Sequence, residues 1–327
     1  MLTAVKISAV LIIILVIISH FYLKSHYPHN NNIKLGVSFS LEYAQSLGLD
    51  ARTTYLAILD DLKVKNLRLP SYWSSLEPQM NQYNFDDLDF LVAEADKHQA
   101  KILLTLGSKQ PRWPECYLPN WAYRMTSSDR KSHLLGIMTK IVNRYKDSSV
   151  IWGWQVENEP FVNFGKNCDN DDSLEFLTAE INLVKQLDPR RPVILTHAGE
   201  TLTLPINFIR LGDIFGTTLY RSVHDPIWGD VRLFYPTDFY SLKPILTGKP
   251  TIITELQAEP WATQPLDSIS LSNQIKLFSM DHFRSNINFA KDTGLDRAYL
   301  WGVEWWYWMK TKNQPEYWDL AKTLIKK

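Results

Sequence analysis

Cysteine is all but missing: Cys116 and Cys168 are the only two in 327 residues. That excludes a disulfide-built scaffold, whose small domains are dense in cysteine. With no Cys-x-x-Cys spacing and no clustered histidines, it also leaves no metal-ligand set to read. Charge of one sign is missing too, since 35 Lys and Arg face 35 Asp and Glu for a formal net charge of zero. A nucleic-acid partner would need a basic face, so none is expected. A glycine-rich phosphate turn is absent after the first candidate strand, where Gly36-Val-Ser-Phe-Ser-Leu-Glu-Tyr43 stands, which argues against a dinucleotide-binding open sheet. No internal repeat or low-complexity tract follows residue 32.

Long apolar runs are absent with one exception. Ile7 to Leu23 is almost entirely apolar, flanked by Lys6 and Lys24, and its length sits at the lower limit for spanning a bilayer. No small-x-small cleavage pattern follows. The run reads as an uncleaved signal anchor over residues 1–24, with the remainder outside the cytoplasm, or secreted if the segment is removed. The lysines are too evenly placed to fix orientation. Residues 25–32 are polar and read as a linker, which leaves 33–327 as the folded domain. In an oxidising compartment Cys116 and Cys168 either pair as a disulfide or stand as two separate thiols.

Aromatic residues are abundant by contrast: 13% of the chain, with 12 Trp. They serve either as core or as flat platforms for sugar rings. From residue 33 the chain alternates short apolar runs with amphipathic stretches in eight units. The candidate strands are Leu35–Ser40, Asn66–Pro70, Lys101–Leu106, Val150–Glu157, Val193–His197, Ile214–Tyr220, Thr251–Glu255 and Ala298–Gly302, rich in the branched residues of buried parallel strands. Helices are expected from Asp86, Ser128, Ser173 and Ser270 and over Glu316–Lys326, each opening on residues suited to a helix N-terminus. Eight β–α units in this length predict an α/β fold, a (β/α)8 TIM barrel preceded by one N-terminal hydrophobic helix.

In such a barrel the polar residues that close strands are the candidates for chemistry. The run Trp152-Gly-Trp-Gln-Val-Glu-Asn-Glu-Pro160 ends in Asn158-Glu159-Pro160, and Pro250-Thr-Ile-Ile-Thr-Glu255 also ends in glutamate. Strands four and seven put these carboxylates on facing lips. Paired carboxyl groups of this kind cleave glycosidic bonds, one as acid and base and the other as nucleophile. Glu159 is the candidate acid/base, and Glu255 the candidate nucleophile.

With those motifs in order, the chain resembles the clan A glycoside hydrolases from about Gly36 to the last strand. The stretch Leu67–Pro78, continued by Tyr83–Asp89, resembles the second β–α unit of families 5 and 42. The resemblance implies a β-glycosidase acting with retention on a β-linked oligo- or polysaccharide, with no cofactor and no metal. It implies that Asn158 binds the sugar 2-hydroxyl, that Arg68 orients the nucleophile, that Tyr220 donates to it, and that Trp301 forms the floor under the sugar. No histidine follows strand three, where Leu106-Gly-Ser-Lys-Gln-Pro-Arg-Trp-Pro114 stands instead, so the chain departs from the family 5 pattern there. Trp113 on that loop is a candidate outer stacking residue.

Competing assignments stay open. Glu157 is the rival acid and Glu259 the rival nucleophile. His197 lines the cleft or packs in the core, and one of Trp305, Trp306 and Trp308 meets substrate or all three are core. Glu304 grips a sugar or caps a helix, and Glu77 is read as structural. Transfer to a sugar acceptor, or sugar binding without turnover, would use the same residues.

Overall fold

The computed structural model of the protein describes residues 2–163, 165, 173–201, 206–225 and 227–325. Eight parallel strands close into a barrel: β1 (Lys34–Ser38), β2 (Asn66–Pro70), β3 (Lys101–Leu106), β4 (Ile151–Val156), β5 (Val193–His197), β6 (Ile214–Leu219), β7 (Thr251–Gln257) and β8 (Arg297–Trp301). Each strand pairs with its neighbours in chain order, and β8 closes on β1 from Lys34↔Arg297 to Ser38↔Trp301. The (β/α)8 architecture read from the eight alternating units is therefore what the chain adopts. Three strands match their expected limits and the others shift by one or two residues, within the usual fraying of such boundaries.

Side chains along each strand alternate between two cores. Leu67 and Leu69, Leu104 and Leu106, Trp154 and Val156, Val193 and Leu195, and Ala298 and Leu300 join the large core under the helices. Their neighbours on the other face, Leu103, Ile194, Ile252 and Tyr299, form a second cluster inside the barrel with Trp152 and Ile214 packed against it. Polar side chains take this inner face nearer the carboxyl ends, as Arg68, Gln155, Thr196 and Thr254 do, and all are fully buried. The barrel is thus a filled core whose polar end is its carboxyl-terminal mouth.

The helices start where a side chain satisfies orphan N–H groups. Asp50, Thr126, Ser173, Ser270 and Ser279 each accept a hydrogen bond from the backbone three residues on. Caps of this type contribute about 1 kcal/mol apiece. The expected helix at Asp86 runs to Lys97, with three aspartates in its first turn favourable to its dipole. An antiparallel hairpin, Ser222–Asp225 with Gly229–Arg232, is inserted after β6.

The N-terminal helix, Leu2–His26, meets the barrel at its last turns. Leu23 is buried there, Lys24 Nζ donates to Thr237 Oγ1 and to the Asp292 carbonyl, and His20 faces Asp238. The polar stretch 25–32 is held down as well, with Asn30 bonded to Leu295 O and Lys291 O. Among the described residues no helix is long and apolar enough to cross a membrane, so the membrane anchor expected over residues 1–24 is not supported there. Ile14, Leu15, Val16, Ile17, Ile18 and Phe21 are exposed on this helix. Cys168 lies outside the described residues, and the expected Cys116–Cys168 pairing with it.

Candidate active site

Arg68 organises the mouth. It is an arginine with no exposed surface, inside a barrel where burying a charge costs several kcal/mol unless partners replace its water. Each of its three nitrogens has a partner: Nε donates to Gln155 Oε1 (2.8 Å), Nη1 to Glu255 Oε1 (2.9 Å) and Nη2 to Asn158 Oδ1 (2.6 Å). A planar fork of fixed geometry therefore sets the end of β4 and the end of β7 relative to each other. Tyr220, the residue after β6, donates its hydroxyl to the other oxygen, Glu255 Oε2, at 2.9 Å. Burial and the adjacent Glu255 carboxylate push the Tyr220 phenol well above its ordinary range, so it stays a donor.

Glu159 stands on the turn that ends β4. Both Glu157 and Glu159 hold left-handed backbone, φ 57° and 48°, a conformation that costs of order 1–3 kcal/mol for such residues. The strained turn is held from three sides. Glu159 N–H donates to Thr196 Oγ1 (2.9 Å), and Lys109 Nζ donates to the carbonyls of Glu159 (3.0 Å) and Val162 (2.6 Å). The Glu157 carboxylate turns away, accepting from the backbone N–H of Ser108 (2.8 Å) and Lys109 (2.6 Å). Gly107 faces that carboxylate with φ 111°, and a Cβ there would collide with it. Glu157 thus fastens the loop after β3, while Glu159 reaches the mouth.

The two carboxyl groups live in different surroundings. Glu255 has an arginine and a phenol on its two oxygens. Glu159 is 8% exposed, and its Oε1 has no hydrogen-bond partner among the described residues. Burial first, then repulsion from Glu255, Glu115 and Glu200, pushes Glu159 well above the ordinary carboxyl range against the pull of Lys109. A site with one proton-holding carboxyl and one clamped carboxylate can protonate a leaving group and attack beside it.

Other expected residues fall into place differently. Asn158 is in the Arg68 network, with its Oδ1 also 3.2 Å from Gln155 Nε2. Trp301 closes β8 and is partly exposed, but one ring face is covered by the Arg112 guanidinium, 4.1 Å from the ring centre. Trp113 is 61% exposed on the loop after β3. His197 is buried beside Phe208, its Nδ1 on Ala198 O (3.1 Å). The rival Glu259 lies against Arg112 rather than Arg68. Trp305 and Trp306 are fully buried and bonded to Gln274 Oε1 and Ala258 O, and Trp308 is 6% exposed, so the run is core. Glu77 is structural, accepting from Trp73 Nε1 and Asn81 N–H.

Four residues at the mouth have no counterpart in the sequence reading. Lys109 and Glu115 face each other at 3.6 Å, and burial with nearby Glu255 pushes Glu115 up to about 8 despite that lysine. Arg112 ties loops together, and Trp261 packs edge-on against Tyr220 at 5.1 Å. The signal available for the first three was their place on a long polar loop after a strand's carboxyl end, where function concentrates. Among the described residues no group of three or more His, Cys, Asp or Glu is placed to hold a metal ion.

Known proteins agree with this reading of the fold. The chain is 25% identical over 123 residues to a mannan endo-1,4-beta-mannosidase F of Aspergillus clavatus, covering 36% of this chain and 28% of that one. It spans little more than a quarter of the length of these mannosidase relatives. In structure it superposes on a β-galactosidase from Rahnella sp. R3 with TM-score 0.59 at 13% identity, covering 84% of this chain and 51% of that one. An exo-β-1,4-mannosidase from Opitutaceae bacterium strain TAV5 gives 0.52 at 12% identity, covering 82% and 51%. At such identities these likenesses speak for the barrel alone. The sequence model of cellulase, glycosyl hydrolase family 5, matches residues 34–241, well over half of the chain. The chain belongs to glycosyl hydrolase family 5.

Proposed function

We propose that the protein is a glycosidase that hydrolyses a β-linked glycoside with retention at the anomeric carbon. The observation that carries this is the contrast between its two strand-end glutamates. Glu255 is gripped on both oxygens by Arg68 and Tyr220, whereas Glu159 is buried with one oxygen that has no partner among the described residues. In the first step the Glu159 proton goes to the departing oxygen as the C1–O bond breaks and a Glu255 oxygen bonds C1. In the second, Glu159, now a carboxylate, takes a proton from water as that water attacks C1 and releases Glu255. In this reading Asn158 bonds the sugar 2-hydroxyl, a contact expected to tighten in the transition state. Trp261, Trp301 and the exposed Trp113 are the stacking surfaces.

The named relatives make β-1,4-mannan and β-galactosides the first substrates to try. The test is hydrolysis of aryl β-glycosides and polysaccharides by the wild type and by Glu159→Ala and Glu255→Ala, with the product anomer followed by NMR. Activity lost in both variants and a β-anomer formed first support the reading. An initial α-anomer, or unchanged rates in either variant, would sink it. Transfer to a sugar acceptor uses the same intermediate and is read from the same spectra.

A further inference from the structure

The mouth is walled on one side by a single arginine. Arg112, from the loop after β3, reaches past β2 to the far edge of the barrel. There its guanidinium lies between the rings of Tyr43 (4.0 Å) and Trp301 (4.1 Å). One nitrogen is paired with Glu259, which follows β7, and the other with Glu304, which follows β8. Glu304 is pinned in turn by the Ser40 N–H at 2.7 Å. Tyr72 braces the arginine's loop, donating to Pro111 O at 2.8 Å. Loops after β1, β2, β3, β7 and β8 are thus fastened together, with Arg112 and Glu259 under 10% exposed and Glu304 fully buried.

Direction follows from the chemistry. The leaving oxygen must lie against Glu159, so the released part of a substrate runs out over β4. In a closed ring of eight the strand facing β4 is β8, not β7 as the paired carboxylates suggested. Sugars on the non-reducing side of the reacting ring would therefore extend over β8 and β1, where the Arg112 wall stands. Two atoms of that wall, Glu259 Oε2 and Arg112 Nε, are buried with no hydrogen-bond partner among the described residues. An acceptor beside a donor suits the free hydroxyls of a terminal sugar.

Resting on the hydrolase reading above, we infer that the Arg112–Glu259–Glu304 wall closes the cleft beyond one sugar, so the enzyme removes single neutral sugars from the non-reducing end of β-linked oligosaccharides. Burying a sugar that carries a carboxylate against Glu259 and Glu304 would set like charges together, so uronate termini are refused.

The test uses linear β-1,4-linked manno- and gluco-oligosaccharides of three to six units, labelled at the reducing end, and aryl oligosides blocked at the terminal 4- and 6-hydroxyls. First products should be a free monosaccharide and a labelled chain shorter by one, and blocked substrates should turn over at least 100-fold more slowly than unblocked ones. First products shortened by two or more, or blocked substrates cleaved at the unblocked rate, overturn the inference while leaving a hydrolase. Silence on every oligosaccharide and every aryl monoside removes the hydrolase reading and this one with it. Arg112→Ala, tested alongside, should raise KM for aryl monosides at least tenfold and admit blocked substrates.

Discussion

Replacing Glu115 by Gln should make the protein more stable at high pH and leave it nearly unchanged at low pH. The carboxyl is 7% exposed beside Lys109, and burial raises it from an ordinary 4.5 to about 8. Below pH 4.5 the folded and unfolded chains both hold the proton, and glutamine mimics that neutral form. Between 4.5 and 8 the unfolded chain has released the proton while the folded chain keeps it, so stability falls as pH rises. The slope is about 1.4 kcal/mol per pH unit, and the full shift is worth about 3–5 kcal/mol. Lys109 draws the group the other way, and a domain holds only about 5–15 kcal/mol in total. Urea unfolding of both proteins at half-unit steps from pH 5 to 8.5 would read the difference directly. The variant's advantage should grow across that window and level off above 8. Activity below about pH 8 should change little, because folded Glu115 is uncharged there and glutamine presents the same neutral group to Glu159. A stability difference independent of pH would refute the buried-carboxyl argument.

Two further outcomes follow from the same network. Arg68→Met removes the cation bonded to Glu255 and leaves a buried carboxylate without that ion pair, which should cost about 3–5 kcal/mol in thermal or urea unfolding and nearly abolish turnover. Tyr220→Phe deletes one charge-assisted bond to Glu255 Oε2, worth about 1.5–3 kcal/mol. It should lower kcat/KM for aryl glycosides by roughly 10- to 100-fold with the fold intact by circular dichroism.

The barrel was legible because its signals are local and repeated. Strands such as Lys101–Leu106 and Val193–His197 are short branched-apolar runs between polar stretches, and the caps at Ser173 and Ser270 announce their helices. The Asn158-Glu159 and Glu255 strand ends were readable for the same reason, since each interrupts an apolar run with charge. What lay beyond reach depends on where side chains turn. Glu157 and Glu159 are two residues apart, and only the left-handed backbone sends one into the β3 loop and the other into the mouth. Arg112 crosses two strands to cover a face of Trp301, a contact among residues far apart in the chain. The tryptophan run after β8 left substrate contact and core packing equally open in the sequence, and its helix, Val303–Thr311, is buried nearly all round.

The claim that Glu255 forms a covalent bond to the sugar is tested most directly by trapping that bond. A 2-deoxy-2-fluoro β-glycoside with a good leaving group slows both steps, but it slows release more. Incubation, peptic digestion and mass spectrometry should find one fluorosugar on the peptide that contains Glu255, and none after Glu255→Gln. A label on Glu259 or Glu159 instead, or steady turnover to an inverted product without any label, would contradict the account.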